Sequence, residues 1–486
     1  MIDTKAIRSK ILDLAIRGKL TEQLPEDGTS EGLYQQIQEE KQALIQSGKI
    51  KKEKPLPEIA ETEIPFEIPD NWAWLRWGNL SFQIQYGYNA PAKEKGDIKM
   101  VRITDIQDNK VVWNTVPFCD IEDECIDEYR LRANDILFAR TGGTVGKSFL
   151  VKKVEEDAVF AGYLIRTNFS TNLNAKYMKY FMESRLYWKQ LQDGTTATAQ
   201  PNCNAKTLSK MIVPLPPLAE QKRIVEKIEQ AFSVLDAIDE LQAQYADNLT
   251  VLKSTLIDAA IQGKLTEQLP EDGTAEELYQ QIQAKKQALI KAGKIKKEKP
   301  LPTIGNDEVP FEIPASWKWI RWGDVVNIVS ARRVHQADWR EAGVPFYRAR
   351  EIARLAEDGF VKNELYISEE LYEEFSKSGV PHADDLMVSA VGTLGRTYVV
   401  KEGERFYYKD ASVLCFENFG KINPHFLSFA MKSNMMRQQI DSNSGGTTVD
   451  TLTMVRMIKY LLPLPPLAEQ DRIVSRLDAA ISILDA

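Results

Sequence analysis

Apolar positions after Leu218 fall at Ile224, Ile228, Ala231, Leu235 and Ile238, then at Tyr245, Leu249, Leu252 and Leu256. Steps of four and three in alternation make the seam of a coiled coil, and Gln242 is its one polar interruption. The pattern predicts a helix from about Leu218 to about Gln262, roughly 65 Å long at ~1.5 Å per residue. Gly263 is placed to end it. "LPEDGT" then predicts a turn, and "EELYQQIQAKKQALIKAG" a shorter amphipathic helix. The C-terminus repeats the first half of the seam at Ile473, Leu477, Ala480 and Leu484, and the N-terminus repeats the second half at Ile7, Ile11 and Leu14. Joined end to start, the termini nearly rebuild the central region, although the join is short, as if the C-terminus were brief or cut. Elsewhere the period changes. "DILFAR" (Asp135–Arg140) and "DLMVSA" (Asp385–Ala390) predict strands. "NAKYMKYFMESRLYWKQLQ" from Asn174 and "NPHFLSFAMKSNMMRQQI" from Asn423 predict matched helices.

These patterns occur twice because the chain is a duplication. "GKLTEQLPEDGT" begins at Gly18 and again at Gly263. "PFEIP" begins at Pro65 and Pro310, and "NWAWLRWG" at Asn71 answers "SWKWIRWG" at Ser316. The copies then diverge almost beyond alignment and meet again at "PLPPLAEQ", from Pro214 and Pro463. Two variable blocks, roughly 66–213 and 311–462, therefore sit inside near-identical frames. Either the frames are fold-critical and the interiors drift, or each interior reads a different target while the frames dock a common partner. The segmentation that follows is a helical region 1–64, a globular block 65–213, a central helical region 214–309, a second block 310–462 and a terminal helix 463–486. The fold class is mixed α+β: two α/β globules separated by long antiparallel coiled-coil helices, with an internal pseudo-twofold repeat.

Net charge of −8 argues against bulk electrostatic attraction to nucleic acid, so any such binding must use local basic patches. No apolar run is long enough for a membrane span. The four cysteines form no Cys-x-x-Cys pair, which fits a reduced, cytoplasmic protein without structural zinc. The three histidines (His335, His382 and His425) all lie in the second block, which excludes a His-dependent catalytic site repeated in both halves.

"ARTGGTVGKSF", from Ala139, ends like a phosphate-binding loop. Such a loop needs Gly-x-x-x-x-Gly-Lys-[Ser/Thr], so its first glycine belongs at 141, where the chain has Thr141. The second copy, "SAVGTLGRTY" from Ser389, has Val391 aligned with Thr141 and Arg396 in the Lys position. Both copies keep a strand, a glycine turn and a basic residue, a combination suited to a phosphodiester backbone. "PLPP" at 214–217 lacks the flanking residues of an amino-methyltransferase loop and is a stiff hinge into the long helix.

"PLPPLAEQKRIVEKIEQ", the glycine turn after "DILFAR", and the "GTT" triplets at Gly194–Thr196 and Gly446–Thr448 together resemble the specificity subunit of type I restriction–modification systems. The resemblance spans essentially the whole chain. It implies two target recognition domains, each reading one half of a split, asymmetric sequence in double-stranded DNA. It also implies helices that dock two methyltransferase subunits, with restriction (motor-nuclease) subunits completing the assembly. No catalytic centre and no cofactor are expected on this chain. S-adenosylmethionine belongs to the methyltransferase partner, and ATP and Mg to the restriction partner. The DNA-facing residues expected in the first block are Arg102, Arg140, Thr141, Gly142, Thr144 and Lys147, with Thr195, Thr196, Gln200 and Asn202 in "GTTATAQPN". In the second they are Arg332, Arg333, Arg348, Arg350, Thr393, Arg396, Thr447 and Thr448, several of them in an arginine run that Arg340 and Arg354 extend. The acidic stretches "DIEDECIDE" (Asp120–Glu128) and "SEELYEEF" (Ser368–Phe375) are expected away from that face. The competing reading is a scaffold with two protein-binding globules, which needs no paired basic turns.

Overall fold

In a computed structural model of the chain, the apolar seam forms one continuous helix, Leu218–Ile261, of 44 residues. The residues described are all but 108, 195–202, 298, 378, 443–450 and 486, and they divide into two compact units, Met1–Ala243 and Gln244–Ala486. The boundary falls inside the long helix.

In the first unit the helix Thr4–Ile16 runs antiparallel to the first half of the long helix. Thr4 donates to Asp239 at 2.6 Å, and Arg8 pairs with Asp236 at 2.7 Å while lying over the Phe232 ring. Gln242 marks the end of this pair: its side chain accepts from the Ile2 N–H at 2.5 Å and donates to the Ile2 carbonyl at 3.2 Å. The polar break in the seam thus satisfies backbone groups just outside the first turn of the shorter helix. In the second unit the helix Leu467–Asp485 pairs in the same antiparallel sense with the second half of the long helix, through Lys253–Asp485 and a core containing Ile257, Ile473 and Leu477.

The near-identity of the frames has a packing cause. Glu220 is fully buried, and its carboxylate accepts from the Trp72 indole (2.8 Å), the Thr21 hydroxyl (3.0 Å) and the Gln23 amide (2.8 Å). Glu469 repeats the arrangement with Trp317, Thr266 and Gln268, each at 2.8 Å. Arg223 pairs with Asp27 at 2.6 Å, and Arg472 with Asp272 at 2.7 Å. The "TEQLPED" loop, the first Trp of "NWAWLRWG" and the "PLPPLAEQ" helix start therefore lock one another. A buried carboxylate with several donors tolerates little change, because each orphaned donor is costly. The "PLPP" segments are a strand followed by the helix start. Ile212–Leu215 pairs antiparallel with Ala73–Arg76, and Leu461–Leu464 with Lys318–Arg321.

The variable blocks share one topology despite their divergence. A four-stranded antiparallel sheet runs in the order Ser81–Tyr86, Leu164–Phe169, Ile136–Ala139, Ser148–Leu150 in the first unit. The second has Val326–Val329, Val413–Asn418, Leu386–Ser389, Thr397–Val399. Beside each lies a three-stranded sheet, centred on Ile98–Val101 or Val344–Tyr347. The divergence is concentrated just after those central strands: the first unit makes a single 3-10 turn, Ile103–Asp105, where the second makes a full helix, Ala349–Asp358. Each matched helix expected from Asn174 and Asn423 is in fact two, Ala175–Phe181 with Arg185–Gly194 and Pro424–Lys432 with Asn434–Ser442. Ser184 and Ser433 break them: each hydroxyl accepts from an N–H three residues on (3.3 Å to Tyr187, 3.2 Å to Met436) and so starts a new helix.

Candidate nucleic-acid interface

The glycine turn joins two antiparallel strands in both units. In the first, the Ala139 N–H donates to the Lys147 carbonyl at 2.9 Å and the Gly146 N–H to the Ala139 carbonyl at 3.0 Å. In the second, Ser389 and Arg396 repeat the first bond at 2.9 Å, and Gly395 and Ser389 the second at 2.9 Å. A phosphate-binding loop would lead into a helix whose N-terminus faces the phosphate. Here a strand follows, so the geometry is a hairpin. Gly146 (φ 89°) is required: a Cβ there would lie 2.2 Å from Leu191 Cδ2, and its carbonyl accepts from the Tyr187 hydroxyl at 2.8 Å. The turn's back is thus packed on the helix Arg185–Gly194, while Gly142 and Lys147 are exposed on its outer side and Thr141 and Thr144 are half-buried. In the second unit Thr393 and Arg396 are exposed, and Arg396 pairs with Glu357 at 3.3 Å. Lys147 and Arg396 therefore occupy matching positions.

Thr195, Thr196, Gln200, Asn202, Thr447 and Thr448 lie outside the described residues. The chain emerging from those segments is tied to the turns. The Cys203 N–H donates to the Arg140 carbonyl at 3.0 Å, and the Leu452 N–H to the Ala390 carbonyl at 3.0 Å. Arg140 itself lies over the Tyr86 ring, 4.7 Å from its centroid.

Five of the arginines beyond the turns are held by carboxylates, while Arg340 donates to the Ala337 and Trp339 carbonyls and Arg354 is exposed. Arg102 and Arg348 follow equivalent strands and have equivalent partners. Asp105 accepts from the Arg102 guanidinium at 2.8 and 3.0 Å, and Glu351 from that of Arg348 at 2.7 and 3.0 Å. Burial alone would raise the Glu351 carboxyl, but the hydrogen bonds from Arg348 and Arg350 hold it at about 2. Arg350 also reaches Glu364 at 2.6 Å, and Arg333 reaches Asp410 at 3.0 Å. Arg332 lies over Phe375 at 4.2 Å and pairs with Glu374 at 3.2 Å. This last pair sets the acidic stretch Ser368–Phe375, expected away from the DNA-facing side, against one of the arginines expected to face DNA. Most of that stretch forms the helix Glu369–Ser376, which packs back on the Arg332 segment, and its Glu369 pairs with Arg405 at 2.5 Å. The arginine run of the second unit is therefore less basic than its composition implies. A phosphate reaching Arg332, Arg333 or Arg350 would replace a carboxylate already there, as it would at Arg396, whose partner is Glu357.

Sequence reasoning missed Tyr86, which no repeat or spacing signals, and the exposed Tyr163, whose carbonyl accepts from the Arg140 N–H at 3.2 Å. Among the described residues, no group of His, Cys, Asp and Glu side chains is arranged to hold a metal ion, and no helix is long and apolar enough to cross a membrane.

The chain matches the family described as type I restriction modification DNA specificity domain, over residues 86–244 and 314–485. It is 28% identical to the type I restriction enzyme EcoAI specificity subunit of Escherichia coli, over 98% of this chain and 89% of that protein. It is 25% identical to the EcoEI specificity subunit of the same organism, over 99% of this chain and 89% of that protein. A solved structure from work on complex assembly and conformational transition of the type I R-M system shares the fold, with a TM-score of 0.57 and 17% identity over 87% of this chain and 93% of that one.

Proposed function

The chain belongs to the type I restriction–modification DNA specificity family, and from that premise we propose that each of its units reads one half of a split, asymmetric sequence in double-stranded DNA. The helices hold two methyltransferase subunits and set the distance between the half-sites. The chain carries no catalytic centre of its own. S-adenosylmethionine is bound by the methyltransferase partner, and ATP and Mg by the restriction subunits, so this chain supplies only address and spacing.

One observation carries the proposal: two near-identical frames present different side chains beside matching basic turns. Phosphate contacts fix register without reading sequence, whereas base edges specify. Lys147 and Arg396, alike in charge and place, suit the first task, and the diverged positions around them suit the second. On this account Lys147→Ala and Arg396→Ala each weaken binding about equally on all DNA sequences. Each also lowers the slope of log K against log salt by roughly one. Titration of the assembled complex at several salt concentrations measures both, and a loss confined to one base position would contradict the assignment. The isolated chain should show no Lys147-dependent ATP binding.

The spacing role makes a separate prediction. The long helix crosses the boundary between the units. Four residues inserted after Gln242 add roughly 6 Å of helix, worth at most about two base pairs at ~3.4 Å each. Four residues also approximate one turn and one seam step, so the apolar stripe re-registers with limited damage. The expected methylome shows unchanged half-site bases and a longer unread spacer. An unchanged spacer with full activity would show that the helix does not measure distance.

A further inference from the structure

Carboxylates neutralise Arg102, Arg332, Arg333, Arg348 and Arg350. Arg140 is different. Its guanidinium makes no hydrogen bond to any described residue, and its Nε is buried without a partner. What holds it is the face of Tyr86, 4.7 Å away, and that ring is itself fixed by the Ala205 N–H, which donates to its hydroxyl at 3.1 Å. The backbone of Arg140 is pinned on both sides, by its N–H to Tyr163 (3.2 Å) and its carbonyl to Cys203 (3.0 Å). The side chain is therefore oriented before any ligand arrives, with its donors used by none of the described residues, and such preorganisation reduces the ordering cost of binding.

The second unit has the same backbone slot with different chemistry. Ala390 donates from its N–H to Ser412 at 2.9 Å and accepts at its carbonyl from Leu452 at 3.0 Å, matching Arg140 bond for bond, but it has no side chain that can reach out. A phosphate contact needed by both units would not be confined to one of them, and Lys147 and Arg396 already fill that place at matched positions. A planar fork braced on a ring instead suits two acceptors on a single edge, and guanine offers O6 and N7 in the major groove. We infer that Arg140, braced by Tyr86, is the residue with which the first unit reads a guanine in its half-site, with Tyr86 as its positioning residue. This rests on the DNA-reading role proposed above.

The test uses the full chain assembled with its modification subunit and duplexes carrying the motif defined by methylome sequencing, each substituted singly across both half-sites. The native complex should prefer guanine at one position of the first half-site by about ten- to a hundred-fold. Arg140→Lys and Arg140→Gln should each abolish that preference while leaving every other position, including the whole second half-site, as in the native complex. Arg140→Lys should also keep the salt slope, since its charge remains. Tyr86→Leu should weaken the same preference in part. Weakening spread evenly over all duplexes, with the Gln variant's salt slope lower by about one, would assign Arg140 to a phosphate and overturn the inference, as would unchanged base preferences. A native complex that prefers no sequence would refute the DNA-reading proposal itself, and the two failures are separable because the first leaves the native complex sequence-specific.

Discussion

Glu220→Ala should destabilise the first unit by about 3–5 kcal/mol, and Glu469→Ala the second by a similar amount. Each substitution removes the acceptor for three donors, an indole, a hydroxyl and an amide, at a fully buried carboxylate. Units of this size lose roughly 2–4 °C of melting temperature per kcal/mol, so a fall of about 10 °C is expected for the affected unit. Hydrogen exchange should speed up first around the altered carboxylate, at Trp72 and Thr21 in one variant and at Trp317 and Thr266 in the other. Glu220→Gln should cost less, because one oxygen still accepts while the new amide faces a donor. A melting temperature within a degree or two of the native value would show that the network contributes nothing and that frame identity needs another cause.

The frames therefore have a structural reason for staying alike, whatever else docks on them. This bears on how much could be read from the chain. The long helix was legible because burial along one seam imposes a period that few other structures share. The turns were legible because the duplication set Lys147 against Arg396 in the same local context. The partners of the arginines were not, since Arg332 meets Glu374 only through the tertiary path of the intervening strands. The equivalence of Arg102 and Arg348 was hidden because the chain continues as a 3-10 turn after one and a ten-residue helix after the other. The breaks at Ser184 and Ser433 were masked by apolar spacing that continues through them. Tyr86 left no signal because its role depends on Arg140 arriving from a different strand.

Exchanging the variable block is the second large effect. Residues 311–462 begin and end in near-identical frame sequence, whose strands Lys318–Arg321 and Leu461–Leu464 pair with one another as their counterparts do in the first unit. A block from another member of the family should therefore fold in place and bring its own base contacts with it. The expected change is complete at one half-site, with the old sequence lost and the donor's gained, because each mismatched base pair costs about 1–3 kcal/mol and several change together. The first half-site should be untouched, since its turn, Arg140 and Lys147 belong to the other unit.

Sequencing of methylated bases in cells that carry the complex with this exchanged block tests the central claim most directly. The account predicts one split motif in which only one half has changed. A change in both halves, or loss of sequence preference altogether, would contradict it.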